Sequence, residues 1–552
     1  SKRLIVSGKT EDGKQIALKY KRVDDNTIKV SANVDTIKKV KVSVLAKEPL
    51  ENQGWYKTAQ VIARGLMMVR NVSLTYRNQY NMSLPGFMPN AGDIFGQRNA
   101  GALAPGLDFA FGLTGDDFIN KAAERDWLLM NDSVATPAAS SRTTDLQLRA
   151  TVEPVKNFKI DLNASRTETR SQSVQYMYQN MPTTRTGTFT MTTISLGSAF
   201  ESTGNIENGF HSATFEKFCN SLEGFRNRVE NQYIGSTYPN GTRYAGEKFD
   251  PAKGGVNKYS ADVLIPAFLS SYTSIGGNSL NIFPTLASLL PNWSVRYSGL
   301  GQLPLLRDWI KSVKINHAYK SVYAVGSYSS FSTYQEYMNG LGFITDAQTE
   351  SPIPNSMYNV SSVSINEAFS PLLGVDVTLH NNLTAKLEYR STRVLTLSTT
   401  SIQLNEATSK DWVIGFGYKI NNFKLFGSGG GRKVKSSKSK NSGADNNNNN
   451  SSSSKNSKSS SKSNFNTDLN LRFDFSLRSQ AAITRDIASM TSTASSGNSA
   501  TKMNLAADYS FSRLVTISFY YNFQKNTPLL TSSSYPTTTH DFGLSMKFSL
   551  TR

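Results

Sequence analysis

From residue 469 onward apolar and polar residues alternate: Leu469, Leu471, Phe473, Phe475 and Leu477 take every second position, with Asn470, Arg472, Asp474 and Ser476 between them. A period of two sends successive side chains to opposite faces, so this segment reads as a strand with one apolar and one polar face. The same alternation recurs in Met503, Leu505, Ala507, Tyr509 and Phe511, in Val515, Ile517, Phe519, Tyr521 and Phe523, and in Phe542, Leu544, Met546, Phe548 and Leu550. Upstream it marks residues 146–152, 158–164, 375–379, 383–389 and 412–420. One strand design repeated along the chain points to an all-β fold.

Strands of this kind build either a soluble sandwich or a membrane barrel. Two features favour the barrel. The alternating segments run to about ten residues, which a tilted strand needs to cross a bilayer, whereas ordinary strands average about five or six. The connections are also unequal. Tight turns at Asn381-Asn382, Asn421-Asn422, Ser512-Arg513 and residues 154–157 alternate with long polar loops at 399–410, 427–464, 489–500 and 524–540. Short turns on one side and long loops on the other are the layout of an outer-membrane barrel. If the last strand ends at the periplasm and the long loops are extracellular, counting strands backwards places residues 200–310 on the periplasmic side or in the lumen. Within that insert Phe215, Phe218, Leu222, Phe225 and Val229 recur at spacings of three and four, the stripe of an amphipathic helix, and 261–272 reads as a second helix.

Composition excludes other classes. No apolar run approaches the roughly 20 residues of a spanning helix. A single cysteine, Cys219, and four scattered histidines leave little for a disulfide framework or a metal site. No Ser/His/Asp grouping has an informative spacing, and Asp116-Asp117 reads as a capping pair. The Gly-rich run at 427–433 lacks phosphate-loop spacing. The expectation is therefore no enzyme, no cofactor and no metal. Aromatics lie in phase with the aliphatics rather than among the charges, which argues against a nucleic-acid partner.

The net charge of +19 is uneven, because residues 428–463 hold eight Lys and Arg against Asp445, a balance of +7. This Ser/Asn/Gly/Lys stretch cannot bury apolar area and reads as a disordered basic loop, placed by the strand count on the cell surface beside anionic lipopolysaccharide. The start of the chain (SKRLIVSG) has neither an initiator Met nor a signal-peptide pattern, so the chain reads as a mature or cut piece.

Several stretches are more specific than an alternating pattern: 70–76 (RNVSLTY), 84–97 (LPGFMPNAGDIFGQ), 261–268 (ADVLIPAF), 290–300 (LPNWSVRYSGL), 317–327 (HAYKSVYAVGS), 369–375 (FSPLLGV) and 412–418 (WVIGFGY). In this order they resemble the SprA/Sov family, the outer-membrane translocon of type IX secretion in Bacteroidota. The resemblance covers most of the chain from about residue 61. It implies the C-terminal part of a very large transmembrane antiparallel β-barrel with a helical periplasmic or luminal insert, in the outer membrane of a Gram-negative (Bacteroidota) bacterium. The implied function is a protein-conducting channel that exports folded cargo bearing a C-terminal secretion domain. The implied partners are a PorV-like outer-membrane shuttle protein, a periplasmic plug protein, the cargo, and the remaining segment of the same barrel. Arg472, Asp474, Lys502 and Asp508 would then face a wet lumen while the apolar phase meets lipid.

The organisation expected is a β-rich segment at 1–60, barrel strands at 61–199, a helical insert at 200–310, strands at 311–427, the basic loop at 428–463 and closing strands at 464–552. A general porin or TonB-dependent-type transporter, or a soluble β-sandwich adhesin, are the alternative readings.

Overall fold

The computed structural model describes residues 3–24, 26–31, 37–45, 65, 67–89, 105–115, 117–175, 182–275, 277, 279–338, 340–421, 423, 467–511, 514–530 and 534–549. The basic segment 428–463 and the turn Ser512-Arg513 lie outside them, as do parts of the motif at 84–97.

The chain divides near residue 70. In the first unit, β1 (Arg3–Thr10) pairs with β2 (Gln15–Ala17) and β5 (Ile37–Leu45), and β3 (Lys19–Arg22) pairs with β4 (Ile28–Ser31), all antiparallel. Its strands are short, exposed and rich in Lys, and among its described residues Val6 is the buried hydrophobic side chain.

The second unit is built on an antiparallel sheet of 14 strands. Its path runs from β6 (Val69–Ser83) through β7 (Ala138–Val155), β8 (Phe158–Val174), β10 (Asn292–Tyr297), β11 (Ile310–Ser330), β16 (Ser362–Leu379), β17 (Leu383–Ser398), β18 (Gln403–Ile420), β19 (Leu469–Asp486), β20 (Thr491–Ser510) and β21 (Val515–Pro528) to β22 (Thr537–Phe548). Two strands lie off this path, β9 (Thr184–Thr192) and β15 (Tyr358–Val360). A separate three-stranded sheet joins β12 (Gln335–Met338), β13 (Leu341–Thr345) and β14 (Pro352–Ser356).

Register carries the sequence alternation across the whole sheet, because directly paired residues share a face. One row reads Phe158, Tyr297, Ile315, Val375, Leu387, Ile414, Phe475, Met503 and Phe523, each paired with the next. The opposite face carries the row Lys314, Asp376, Lys386, Gly415, Asp474, Asn504, Asn522 and Asp541. Leu471, Phe473, Phe475, Ile517, Phe519, Leu544, Met546 and Phe548 fall on the first face, and Arg472, Asp474, Lys502 and Asp508 on the second.

Three expectations need correction. Most strands of the sheet are far longer than ten residues, and three of the expected long loops are largely their continuations. Residues 403–410 belong to β18 and pair with 479–486 of β19, while 491–500 belong to β20. The loop at 524–540 shrinks to residues 529–536. These halves are rich in Ser, Thr, Ala and Gly, so apolar alternation stops although backbone pairing continues. Second, β18 and β19 pair from Gln403↔Asp486 to Ile420↔Leu469, so Asn421-Asn422 does not close a hairpin between neighbouring strands. β18 ends at Ile420 and β19 begins at Leu469 at the sheet end that carries the turns at 154–157 and Asn381-Asn382, not at the opposite end. The strand count fails because Leu469–Asp486 is one strand running away from the short-turn end, where the count requires a strand beginning near residue 465 to run towards it.

The third correction concerns the insert. β9 and β10 occupy one strand position between β8 and β11, with residues 193–291 inserted at mid-height. The wall stays sealed there: the Ser321 amide donates to Asn292 Oδ1 (2.8 Å) and the Thr193 amide donates to the Ser321 carbonyl (3.1 Å). The helices Ala213–Asn231 and Ala261–Tyr272 form where the sequence spacing predicts them, the first capped by Ser212 Oγ accepting from the Phe215 amide (3.1 Å). Their buried residues, Phe218, Leu222, Leu264 and Phe268 among them, share one core with Tyr323, Ile365, Leu395, Leu397 and Leu404 of the sheet. Leu395 and Leu397 are in phase with Leu387 and Tyr389, and Leu404 with Trp412 and Ile414. The insert therefore covers the apolar face of the half remote from the short turns, not the turn end where the strand count puts a periplasmic insert.

Candidate functional site

On the half of the sheet nearest the short turns, the apolar face is uncovered. Phe416, Leu477, Phe519, Leu544, Met546 and Phe548 are all exposed, Leu544 by 73% and Phe548 by 66%. An apolar surface continuous over this many strands far exceeds the patches of a few hundred Å² normal on soluble monomers. From Leu469 to Leu477 this belt spans about 26 Å along the strand. At the tilt of about 40° usual for barrel strands this projects to about 20 Å along the barrel axis, a little less than the roughly 25 Å apolar band of outer-membrane barrels. Aromatic pairs edge it. Tyr389 stacks on Trp412 (ring centroids 4.5 Å apart) and Trp293 on Tyr319 (4.6 Å) towards the insert, while Phe158 meets Tyr297 (5.8 Å) towards the turns. His317 also lies in the belt phase. It donates from Nδ1 to the Leu372 carbonyl (2.7 Å) and accepts at Nε2 from the Trp293 indole (3.1 Å), partners that suit the neutral ring.

The other face is charged and cross-linked between strands. Arg478 donates twice to Asp411 (2.7 and 3.1 Å), Arg472 pairs with Asp508 (2.7 Å), and Glu388 lies between Lys386 (2.9 Å) and Arg390 (2.6 Å) on the same strand. Clefts of about 590 and 360 Å³ open among Arg296, Lys314, Asp376 and Lys386, and among Arg390, Asp411, Arg478 and Lys502. These ion pairs lie on the face opposite the belt, so the sheet carries an apolar surface on one side and a charged one on the other.

Where the belt gives way to the insert, charges occupy the apolar phase. Glu367 Oε2 accepts two bonds from Arg393 (2.8 and 3.1 Å), its Oε1 accepts from Tyr319 Oη (2.8 Å) and Ser195 Oγ (2.7 Å), and Arg393 continues to the Ser198 carbonyl (2.6 Å). Two strands away, Arg485, with no exposed surface, donates to Glu406 (2.7 and 3.0 Å), to the Phe210 carbonyl and to Ser492 Oγ (3.0 Å). Both clusters tie the insert, through Ser195, Ser198 and Phe210, to the sheet. Glu406 falls in the span 399–410 that reads as a loop and Arg485 outside every alternating segment, so sequence reading singles out neither. Their phase, shared with Leu404 and Ile483, was the signal that could have found them.

The remaining candidates fall apart in space. Asp117 precedes the helix Phe118–Glu124 but its side chain forms no cap hydrogen bond; its carboxylate accepts from the Asn120 side-chain amide instead (2.9 Å). Cys219 is buried in the helix Ala213–Asn231, and burial pushes its thiol up to about 11. Among the described residues no group of three or more His, Cys, Asp or Glu side chains could hold a metal ion.

No known family's sequence profile matches the chain, and no curated protein does. Among solved structures, the β domain of the Bordetella autotransporter BrkA aligns at 6% identity over 75% of this chain and 92% of its own, with a TM-score of 0.19. The outer-membrane protein OmpT of Vibrio cholerae aligns at 8% identity over 74% and 89%, with a TM-score of 0.17. An anion-selective porin from Comamonas acidovorans aligns at 8% identity over 70% and 82%, with a TM-score of 0.09. Scores this low define no common fold.

Proposed function

We propose that this chain forms one section of the wall of an outer-membrane β-barrel, and that the barrel is the protein-conducting channel of type IX secretion. The observation that carries the first part is the belt: registered apolar pairs, exposed on one face, backed by charged pairs on the other. In a soluble sandwich a second sheet would cover that face, and among the described residues none does. The belt meets lipid and the polar face lines water. β6 and β22 are the ends of the sheet path, and Phe542, Leu544, Met546 and Phe548 are exposed on β22. Strands from the rest of the barrel would complete the wall there. With the short turns at the periplasm, the insert stands outside the wall at the extracellular end, and 428–463 emerges into the periplasm.

The second part rests on the family resemblance. A lumen wide enough for folded proteins cannot be filled by wall side chains and needs a plug, and cargo needs a partner to receive it. A PorV-like shuttle protein and a periplasmic plug protein supply these roles, and no residue acts chemically.

Two experiments test the two parts. Arg in place of Phe473 should cost about 2–4 kcal/mol in folding into bilayers, against under about 1 kcal/mol for Arg in place of Ser476. Equal costs would overturn the barrel wall. A photo-crosslinking residue at Ser476 or Lys502 should capture cargo carrying the C-terminal domain in transit. Full export with no capture at either position would overturn the translocon reading while leaving the wall intact.

A further inference from the structure

The connection between β10 and β11, residues 298–309 (SGLGQLPLLRDW), is held at both ends. The Ser298 amide donates to the Asn157 carbonyl (3.0 Å), and the His380 backbone amide and Nε2 donate to the carbonyls of Trp309 (3.3 Å) and Arg307 (3.1 Å). Between these ties the short turn Leu300–Gln302 folds back on β11. Gly301 comes so close that an added Cβ would stand 3.4 Å from Ser312 Cα, and Val313, a residue in the belt phase, is buried there.

On this fixed backbone Leu305 is 88% and Trp309 79% exposed, with Leu303, Arg307 and Asp308 exposed beside them. A single exposed Leu is ordinary; Leu and Trp together, continuous with the belt at its turn end, are not. Trp is favoured where an apolar body meets lipid and its N–H meets water, and a neighbouring Arg can reach lipid phosphate.

Resting on the reading of the belt as the lipid surface, we propose that residues 298–309 are an interfacial anchor, with Leu305 and Trp309 seated at the headgroup–acyl boundary of the leaflet on the short-turn side. The occupant is phospholipid rather than a protein partner. The seat fixes how deep the wall sits in the bilayer and its tilt about β10 and β11.

The test uses the five tryptophans, Trp55, Trp127, Trp293, Trp309 and Trp412. Variants keeping only Trp309 or only Trp412, the others changed to Phe, are folded into phosphatidylcholine vesicles brominated either near the headgroup or near the chain end. Trp309 should lose most of its emission to the shallow bromines and little to the deep ones; Trp412, at the belt, should be quenched as well. Trp412 quenched with Trp309 untouched overturns the anchor and leaves the belt standing. Neither quenched overturns both. Trp309→Ser in the otherwise native chain gives a second readout that needs no multiple variant to fold: it should lower the share of emission quenched by the shallow bromines, and an unchanged quenching profile would overturn the anchor.

Discussion

Replacing Arg485 with Met should release the insert from the sheet without unfolding the belt. Arg485 is fully buried, gives two charge-assisted bonds to Glu406, which is itself 7% exposed, and ties the Phe210 carbonyl at the start of the insert. Met keeps the length and apolar stem but leaves the Glu406 carboxylate buried without a cation. Removing one partner of a buried pair costs about 3–5 kcal/mol, because the desolvation of the survivor is no longer offset. The bonds to Phe210 and Ser492, each about 1 kcal/mol net, overlap with that figure rather than add to it. At 1.4 kcal/mol per decade, amide protection in the helix Ala213–Asn231 should fall by about two to three and a half orders of magnitude. Hydrogen exchange read by mass spectrometry in detergent measures this, with peptides from the belt half of β19 and β20 as the internal control. In the double variant Glu406→Leu with Arg485→Met no charge remains buried, so at least half of the lost protection should return. A change under about tenfold in the single variant, or a double variant as loose as the single, would refute the buried-pair argument.

Three further outcomes follow from local geometry. A Cβ at Gly187 would stand 2.3 Å from the Thr169 carbonyl and the Tyr328 hydroxyl, so Gly187→Ala should cost about 1–3 kcal/mol by urea midpoint. Gly326 faces open space, and the same change there should stay within about 0.5 kcal/mol. Cys219, buried with its thiol pushed up to about 11, should resist thiol reagents at neutral pH. The unfolded thiol ionises near 8.5, so its contribution to stability is whole below that pH and is lost as pH rises towards 11, which denaturation midpoints across the range should register. An epitope tag at Asn448 should be reached by antibody only after the outer membrane is permeabilised; reaction on intact cells would reverse the orientation of the sheet.

The belt was legible because one medium dictates every second residue: Leu471, Phe473 and Phe475 announce their face without knowledge of any neighbour. The stripe Phe215, Phe218, Leu222, Phe225 and Val229 was legible for the same local reason, with a period near 3.6. The far halves of the strands were not. Residues 491–500 of β20, which read STASSGNSA within that span, carry no apolar rhythm, and any sequence can donate the backbone bonds that keep them in register. The direction of the chain after the basic segment 428–463 was illegible for the same reason, since nothing local shows that Leu469–Asp486 is one unbroken strand.

What the amino-acid order determined alone was the two-faced character of the strands and the helicity of two inserted segments, because side-chain period and burial act within a few residues. Which end of the sheet each connection leaves, and which face the insert covers, was decided only by pairing. Thr192 and Asn292 meet in one strand position because β8 and β11 both hold them there, and Glu406 finds Arg485 only once β18 and β19 are in register. Such contacts join residues far apart in the chain. Their free energy depends on geometry that no local pattern encodes.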